Sequence, residues 1–123
     1  MIWLMVAVGG AAGSVIRYGV QRLAMHFGAQ GTVLATLSVN VTGSFALGFV
    51  LTLILERISV SPDVRMLVTV GFLGGYTTFS TLSYETVQLL DNGEIWRASW
   101  SLLANVVLGL AVAYMGVLLA RAV

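Results

Sequence analysis

Gly74-Gly75-Tyr76-Thr77-Thr78-Phe79-Ser80-Thr81-Leu82-Ser83 sets a glycine pair and a run of hydroxyls inside a segment otherwise apolar enough to cross a membrane. Of the nine residues from Thr77 to Glu85, only Phe79 and Leu82 lack a polar group. Hydrocarbon offers no partner for the other seven, so that face must look at protein, water or an ion. Polar groups at membrane depth are costly and mark ion or substrate pathways, which makes this block the first candidate for function.

Composition sets the class. The 123 residues are 59% hydrophobic and 9% charged, with mean hydropathy +0.97. A soluble domain carries about 25% charged residues, so this chain reads as an integral membrane protein that takes the lipid bilayer as its solvent. Net charge is +1, there is no Lys, and the six Arg are dispersed. That pattern excludes the basic footprint of nucleic-acid binding. There is no Cys and a single His, His26, which leaves neither a disulfide framework nor a metal cage of side chains. No nucleophile–base pair stands out, and nothing in the chain argues for an enzyme.

Four spans are expected from where charges are missing. Met1 to Ile16 is uncharged, and its apolar pattern runs past Arg17 to about Phe27; Leu23 to Leu55, Met66 to Tyr84 and Ala98 to Ala120 follow. Each window can supply the roughly 20 apolar residues that a bilayer core requires, the first only by burying or snorkelling Arg17. No Lys or Arg precedes the apolar run at Ile2, so the first segment is expected to remain as a span and not to act as a signal peptide. Turns are expected at Met25 to Thr32, at Glu56 to Pro62 and at Asp91-Asn92-Gly93-Glu94. Ser61-Pro62-Asp63 reads as the N-cap and first turn of the third helix. The chain is expected to be one four-helix transmembrane domain over residues 1–123.

Small residues four apart, such as Gly9 and Gly13, Ser44 and Gly48, and Gly109 and Ala113, suit close helix packing in lipid. The double glycine lowers helix propensity by roughly 1 kcal/mol per residue, and a break in the third helix is expected near Gly74 to Thr78. Such a break exposes carbonyls that bind cations and N-termini that favour anions. An ordinary kink satisfied by threonine hydroxyls is the plainer alternative.

The block Gly74 to Ser83 resembles the signature of the CrcB/Fluc fluoride channel family. The likeness continues through Gly9-Gly10, Gly13 and Arg17-Tyr18, then Val39-Asn40 with Gly43, and Glu85. The resemblance implies an all-α membrane protein of four transmembrane helices with a broken third helix. It further implies a dual-topology antiparallel homodimer in a prokaryotic plasma membrane, with two fluoride pores and a structural sodium ion at the dimer centre. Carried across, the pattern gives the sodium ion to the backbone carbonyls of Gly74 and Thr77. Asn40 becomes a neutral amide facing the pore, although an intramembrane Asn equally serves an interhelical hydrogen bond. Phe79 matches a pore phenylalanine whose positive ring edge can meet an anion. Ser80, Thr81 and Ser83 match hydroxyls along the path, with back-bonding to the preceding turn as the alternative for each.

Two positions depart from the family. Leu82 replaces the second phenylalanine, and Asn105 lies where relatives align a tyrosine or histidine. Leu82 raises a variant pore or one partner of a heterodimer. Against the latter, Arg57, Arg65 and Arg121 fall on one side, and Arg22, Arg97 and perhaps Arg17 on the other. That near balance suits dual insertion and a homodimer. The function implied is passive fluoride export that relieves fluoride toxicity. A small multidrug-type proton-coupled transporter would want a first-span carboxylate, and no Asp or Glu precedes Glu56. A noncatalytic membrane assembly subunit would leave the polar block unexplained.

Overall fold

Helix α1 (Ile2–Ala24) runs into a 3-10 turn (Met25–Gln30), and α2 (Gly31–Glu56) follows. The computed structural model describes residues 1–123, Ala29 by its backbone alone. At the turn Gly28 takes φ 77 and ψ −154, a region open to glycine and closed to residues with a Cβ. After Arg57–Ser61 come α3 (Pro62–Met66), a π-helical segment (Leu67–Leu73), α4 (Gly74–Tyr76), α5 (Phe79–Asp91) and α6 (Ile95–Ala122). Ser61 caps α3, its hydroxyl accepting from the Val64 N–H at 3.3 Å, with Pro62 opening the helix. Between α5 and α6 the chain turns through Gly93 at φ 75. Its N–H donates to Leu90 O at 2.9 Å, and the Glu94 N–H donates to Leu89 O at 2.8 Å.

Three helical stretches are long and apolar enough to cross a membrane: Ile2–Gly28, Gly31–Glu56 and Ile95–Ala122. The stretch from Pro62 to Asp91 is in pieces. At its middle Thr77 and Thr78 leave helical conformation, with φ −84 and ψ 157 for the first and φ −152 and ψ 114 for the second. Gly74 and Gly75 remain helical. Of the glycine pair, Gly75 is there for contact: a Cβ on it would stand 2.6 Å from the Gly10 carbonyl oxygen, whereas one on Gly74 would meet nothing nearer than 4.0 Å. Gly9 likewise faces the Phe72 amide, at 2.9 Å from where a Cβ would lie. Small residues thus let α1 lie against the π segment and α4.

The most extensive packing joins α2 to α6. Gly116 brings α6 onto the Phe49 amide, where a Cβ would meet it at 2.8 Å. At the chain's charged end, Arg121 Nη2 donates to Glu56 Oε1 at 2.9 Å, and Arg57 donates to the Arg121 carbonyl. The interior is small and partly polar: Thr36, Val39 and Ser101 are the largest side chains below 2% exposure. Large apolar side chains cover the outside, among them Trp3, Phe27, Leu110 and Met115. This inside-out distribution is what lipid as solvent selects.

Candidate functional site

The site is built on the interruption at Thr77 and Thr78. Thr77 ends the first half, its N–H and its hydroxyl both donating to Leu73 O, at 3.1 Å and 3.0 Å. Thr78 starts the second half: its Oγ1 accepts from the Thr81 N–H at 3.2 Å and donates to Thr81 Oγ1 at 2.9 Å. The extended conformation leaves the Thr78 N–H without a helical partner, whereas the Thr78 carbonyl, at the N-cap, opens the α5 ladder; one side chain reaches both groups. Asn40 Oδ1 accepts from the Thr78 N–H at 2.8 Å, and Asn40 Nδ2 donates to the Thr78 carbonyl at 3.1 Å. The second Nδ2 hydrogen goes to Asn105 Oδ1 at 2.8 Å. Both donor hydrogens of Asn40 are therefore engaged within the chain, and the amide works as a clasp on the break.

The freed carbonyls have distinct fates. In a continuous helix Gly74 O would accept from the Thr78 N–H, which bonds Asn40 instead. Thr77 O would accept from the Thr81 N–H, which bonds Thr78 Oγ1. Gly75 O finds a charged donor across the fold, Arg17 Nε at 3.0 Å. Arg17 is half-buried and caps a helix end, where the snorkelling anchor was one expectation. A carbonyl stripped of its helical partner inside a bundle attracts a guanidinium more strongly than a distant headgroup does.

Beside the break lies a groove of about 300 Å³ whose lining includes Asn40, Gly74, Thr77, Thr78, Phe79, Leu82 and Asn105, with Leu47, Leu73 and Val106. No Arg, His, Asp or Glu side chain lines it among the described residues. Phe79 is 75% exposed in the single chain, whereas Leu82 is 3% exposed. Ser80, Thr81 and Ser83 stand off the groove lining. Ser83 Oγ back-bonds to Phe79 O at 3.0 Å, and Ser80 Oγ lies 3.5 Å from Thr78 Oγ1.

One turn below Asn40 and Asn105 is a second polar layer. Thr36 Oγ1 donates to Glu85 Oε1 at 3.0 Å, while Glu85 Oε2 and Ser101 Oγ are buried with no partner among the described residues. From the sequence Glu85 stood out only as part of the family likeness, and Thr36 and Ser101 had no role. The i, i+4 spacing of Thr36 to Asn40 and of Ser101 to Asn105 is the signal that marks them. It places the polar residues of α2 and α6 on two matching stripes.

Comparison with known proteins gives the family. The model of the family described as CrcB-like protein, Camphor Resistance (CrcB), matches residues 4–117. A protein of Chlorobaculum tepidum named fluoride-specific ion channel FluC is 47% identical over 118 residues, 96% of this chain and 93% of that protein. The protein of the same name from Thermus thermophilus is 45% identical over 114 residues, 93% and 90% of the two chains. That from Shewanella amazonensis is 44% identical over 113 residues, covering 92% and 90%. A family model that matches almost the whole length, together with relatives 44 to 47% identical over more than nine-tenths of the chain, has one reading: the chain belongs to the CrcB-like family.

Proposed function

We propose that this protein is a passive, fluoride-selective channel of the bacterial plasma membrane. The observation that carries the reading is a groove at the third-span break where amide, hydroxyl and phenyl groups meet among aliphatic side chains, with no charged side chain in the lining. Neutral donors replace part of an ion's hydration without holding it too tightly to leave. The name that the relatives bear, fluoride-specific ion channel, supplies the ion. In the groove Thr77, Thr78 and the Asn40 amide form the polar side and Phe79 and Leu82 the apolar side; Ser80, Thr81 and Ser83 stand beyond that lining, as hydroxyls for the path's continuation along α5.

In this reading α3 to α5 form the remaining span. Helix α5, 13 residues long, rises about 20 Å and cannot cross a hydrocarbon core of about 30 Å by itself. End to end with the segment before Thr77, it can. The α5 N-terminus favours an anion and the α4 carbonyl end a cation. Gly74 and Thr77, whose carbonyls lose their usual helical donors, are the residues that would hold a structural sodium ion. Carbonyl oxygens are hard neutral ligands that suit it. Two carbonyls are too few for a complete shell, so a second chain is needed to complete it. The sodium ion would fix the two broken helices of an antiparallel homodimer against each other.

Hydrogen fluoride crosses membranes as a neutral acid and ionises in the more neutral interior. A negative-inside potential then drives the anion out through such a pore. Fluoride-loaded liposomes holding only this protein are expected to release fluoride when valinomycin is added, and chloride-loaded ones to release almost none. Fluoride release no faster than from protein-free vesicles, read with a fluoride electrode, would overturn the assignment.

Dual topology follows from charge. With Arg17 engaged on Gly75 O, Arg57, Arg65 and Arg121 are set against Arg22 and Arg97, nearly symmetric for insertion. Ala122 is exposed at the end of α6, and Ala122→Cys is the only thiol in the resulting chain because the sequence has no Cys. An impermeant maleimide applied to intact cells is expected to label about half of the molecules. All-or-none labelling would reject the antiparallel homodimer.

A further inference from the structure

The orientation of two amides at the break is fixed by main-chain groups that cannot exchange roles. The Thr78 N–H only donates, so the Asn40 atom 2.8 Å from it must be Oδ1. Asn40 Nδ2 therefore faces both the Thr78 carbonyl and Asn105, and the Asn105 atom 2.8 Å away must be its oxygen. Asn105 Nδ2 is then left for the Ser101 carbonyl, at 2.9 Å. A directed run of hydrogen bonds links the α6 main chain, through two side-chain amides, to the first residue of the second half-helix. Asn105 is 7% exposed, so water has little access to replace its oxygen. Without that oxygen, one hydrogen of the half-buried Asn40 amide loses its partner in the chain, and the clasp loses the contact that selects its rotamer.

We infer that Asn105 is a positioning residue, which holds Asn40 on the Thr78 peptide and so keeps α4 and α5 in the register that the ion path requires. Its action passes through Asn40 and needs no contact with the ion. The flux consequence rests on the channel reading; the effect on the Thr78 clasp does not.

The test is a double-mutant cycle of Asn105→Leu and Asn40→Ala with two readouts. One is exchange of the Thr78 amide proton, followed by NMR of the purified protein in detergent micelles; the other is fluoride flux from liposomes. Asn105→Leu is expected to speed Thr78 exchange about tenfold, the size of one lost hydrogen bond, and to lower flux in parallel. In the Asn40→Ala background the same change is expected to alter either readout by less than about twofold, because its target is gone. Unchanged Thr78 exchange in Asn105→Leu would overturn the inference. So would equal losses of flux in both backgrounds, the mark of a residue that meets the ion directly. If Asn40→Ala passes no measurable fluoride, exchange alone decides. If the wild-type protein passes none, the channel reading falls while the exchange cycle still tests the positioning role.

Discussion

Phe79→Ile is expected to cut fluoride flux by about thirtyfold or more while the protein still folds and assembles. Phe79 is 75% exposed in the single chain, so its ring adds little to the chain's own packing. The substitution keeps most of its apolar volume and removes the ring quadrupole. A desolvated cation on a ring face is worth about 2 kcal/mol. A contact of similar size between an anion and the ring edge, lost from the barrier, gives the stated factor. Leu82 should be less demanding. It is buried at 3% exposure in the lining of the same groove, so Leu82→Phe can direct its extra atoms into the groove and is expected to keep conduction. Flux from reconstituted protein, with size-exclusion profiles as the folding control, decides the matter. Full activity in Phe79→Ile together with loss in Leu82→Phe would show that the aromatic contribution lies elsewhere.

Gly75→Ala is expected to destabilise the fold by about 2 to 3 kcal/mol through overpacking. The added Cβ would meet Gly10 O at 2.6 Å and Gly10 Cα at 3.1 Å. Both atoms belong to the main chain of α1 and cannot rotate away. Moving α1 would also stretch the Arg17 bond to Gly75 O, now 3.0 Å. Gly19, one face of α1 with nothing within 4 Å of a built Cβ, is the matched control. There Ala should stabilise the helix by up to about 1 kcal/mol, as helix propensity dictates. Thermal melting of the purified protein measures both. Equal shifts for the two substitutions would refute the close approach of α1 and the third-span segment.

Local chemistry was legible in the sequence, and long-range pairing was not. Ser61-Pro62 announced a helix start, and Asp91 to Glu94 announced a turn, because caps and turns depend on residues a few places apart. Gly28 in the first connection and the small-residue pairs of α1, α2 and α6 belong to the same class. The glycine pair pointed to the right neighbourhood, yet for a different reason: Gly75 is helical and its missing Cβ makes room for Gly10, while the residues that leave helical conformation are Thr77 and Thr78. Propensity speaks to backbone freedom and is silent about which helix comes close.

Arg17 on Gly75 O spans 58 residues, and Asn40 on Asn105 spans 65. No spacing rule reaches that far. The run of π-helix over Leu67–Leu73 likewise left no mark that periodicity could read. Within the candidate site, Asn40, Phe79 and Leu82 were identifiable as polar or apolar exceptions to their surroundings, and they meet in one groove. Asn105 was visible only as a departure from the family pattern; its hydrogen bonds give that departure a physical role.

The central claim is that neutral groups at the third-span break pass fluoride, alone and down its electrochemical gradient. Its most direct test is the reversal potential of the reconstituted protein in a planar bilayer, with fluoride and chloride gradients set in opposite directions and a separate pH gradient imposed. The current is expected to reverse at the Nernst potential of fluoride, unmoved by the pH gradient. Reversal at the chloride potential, or a shift that follows pH, would contradict it.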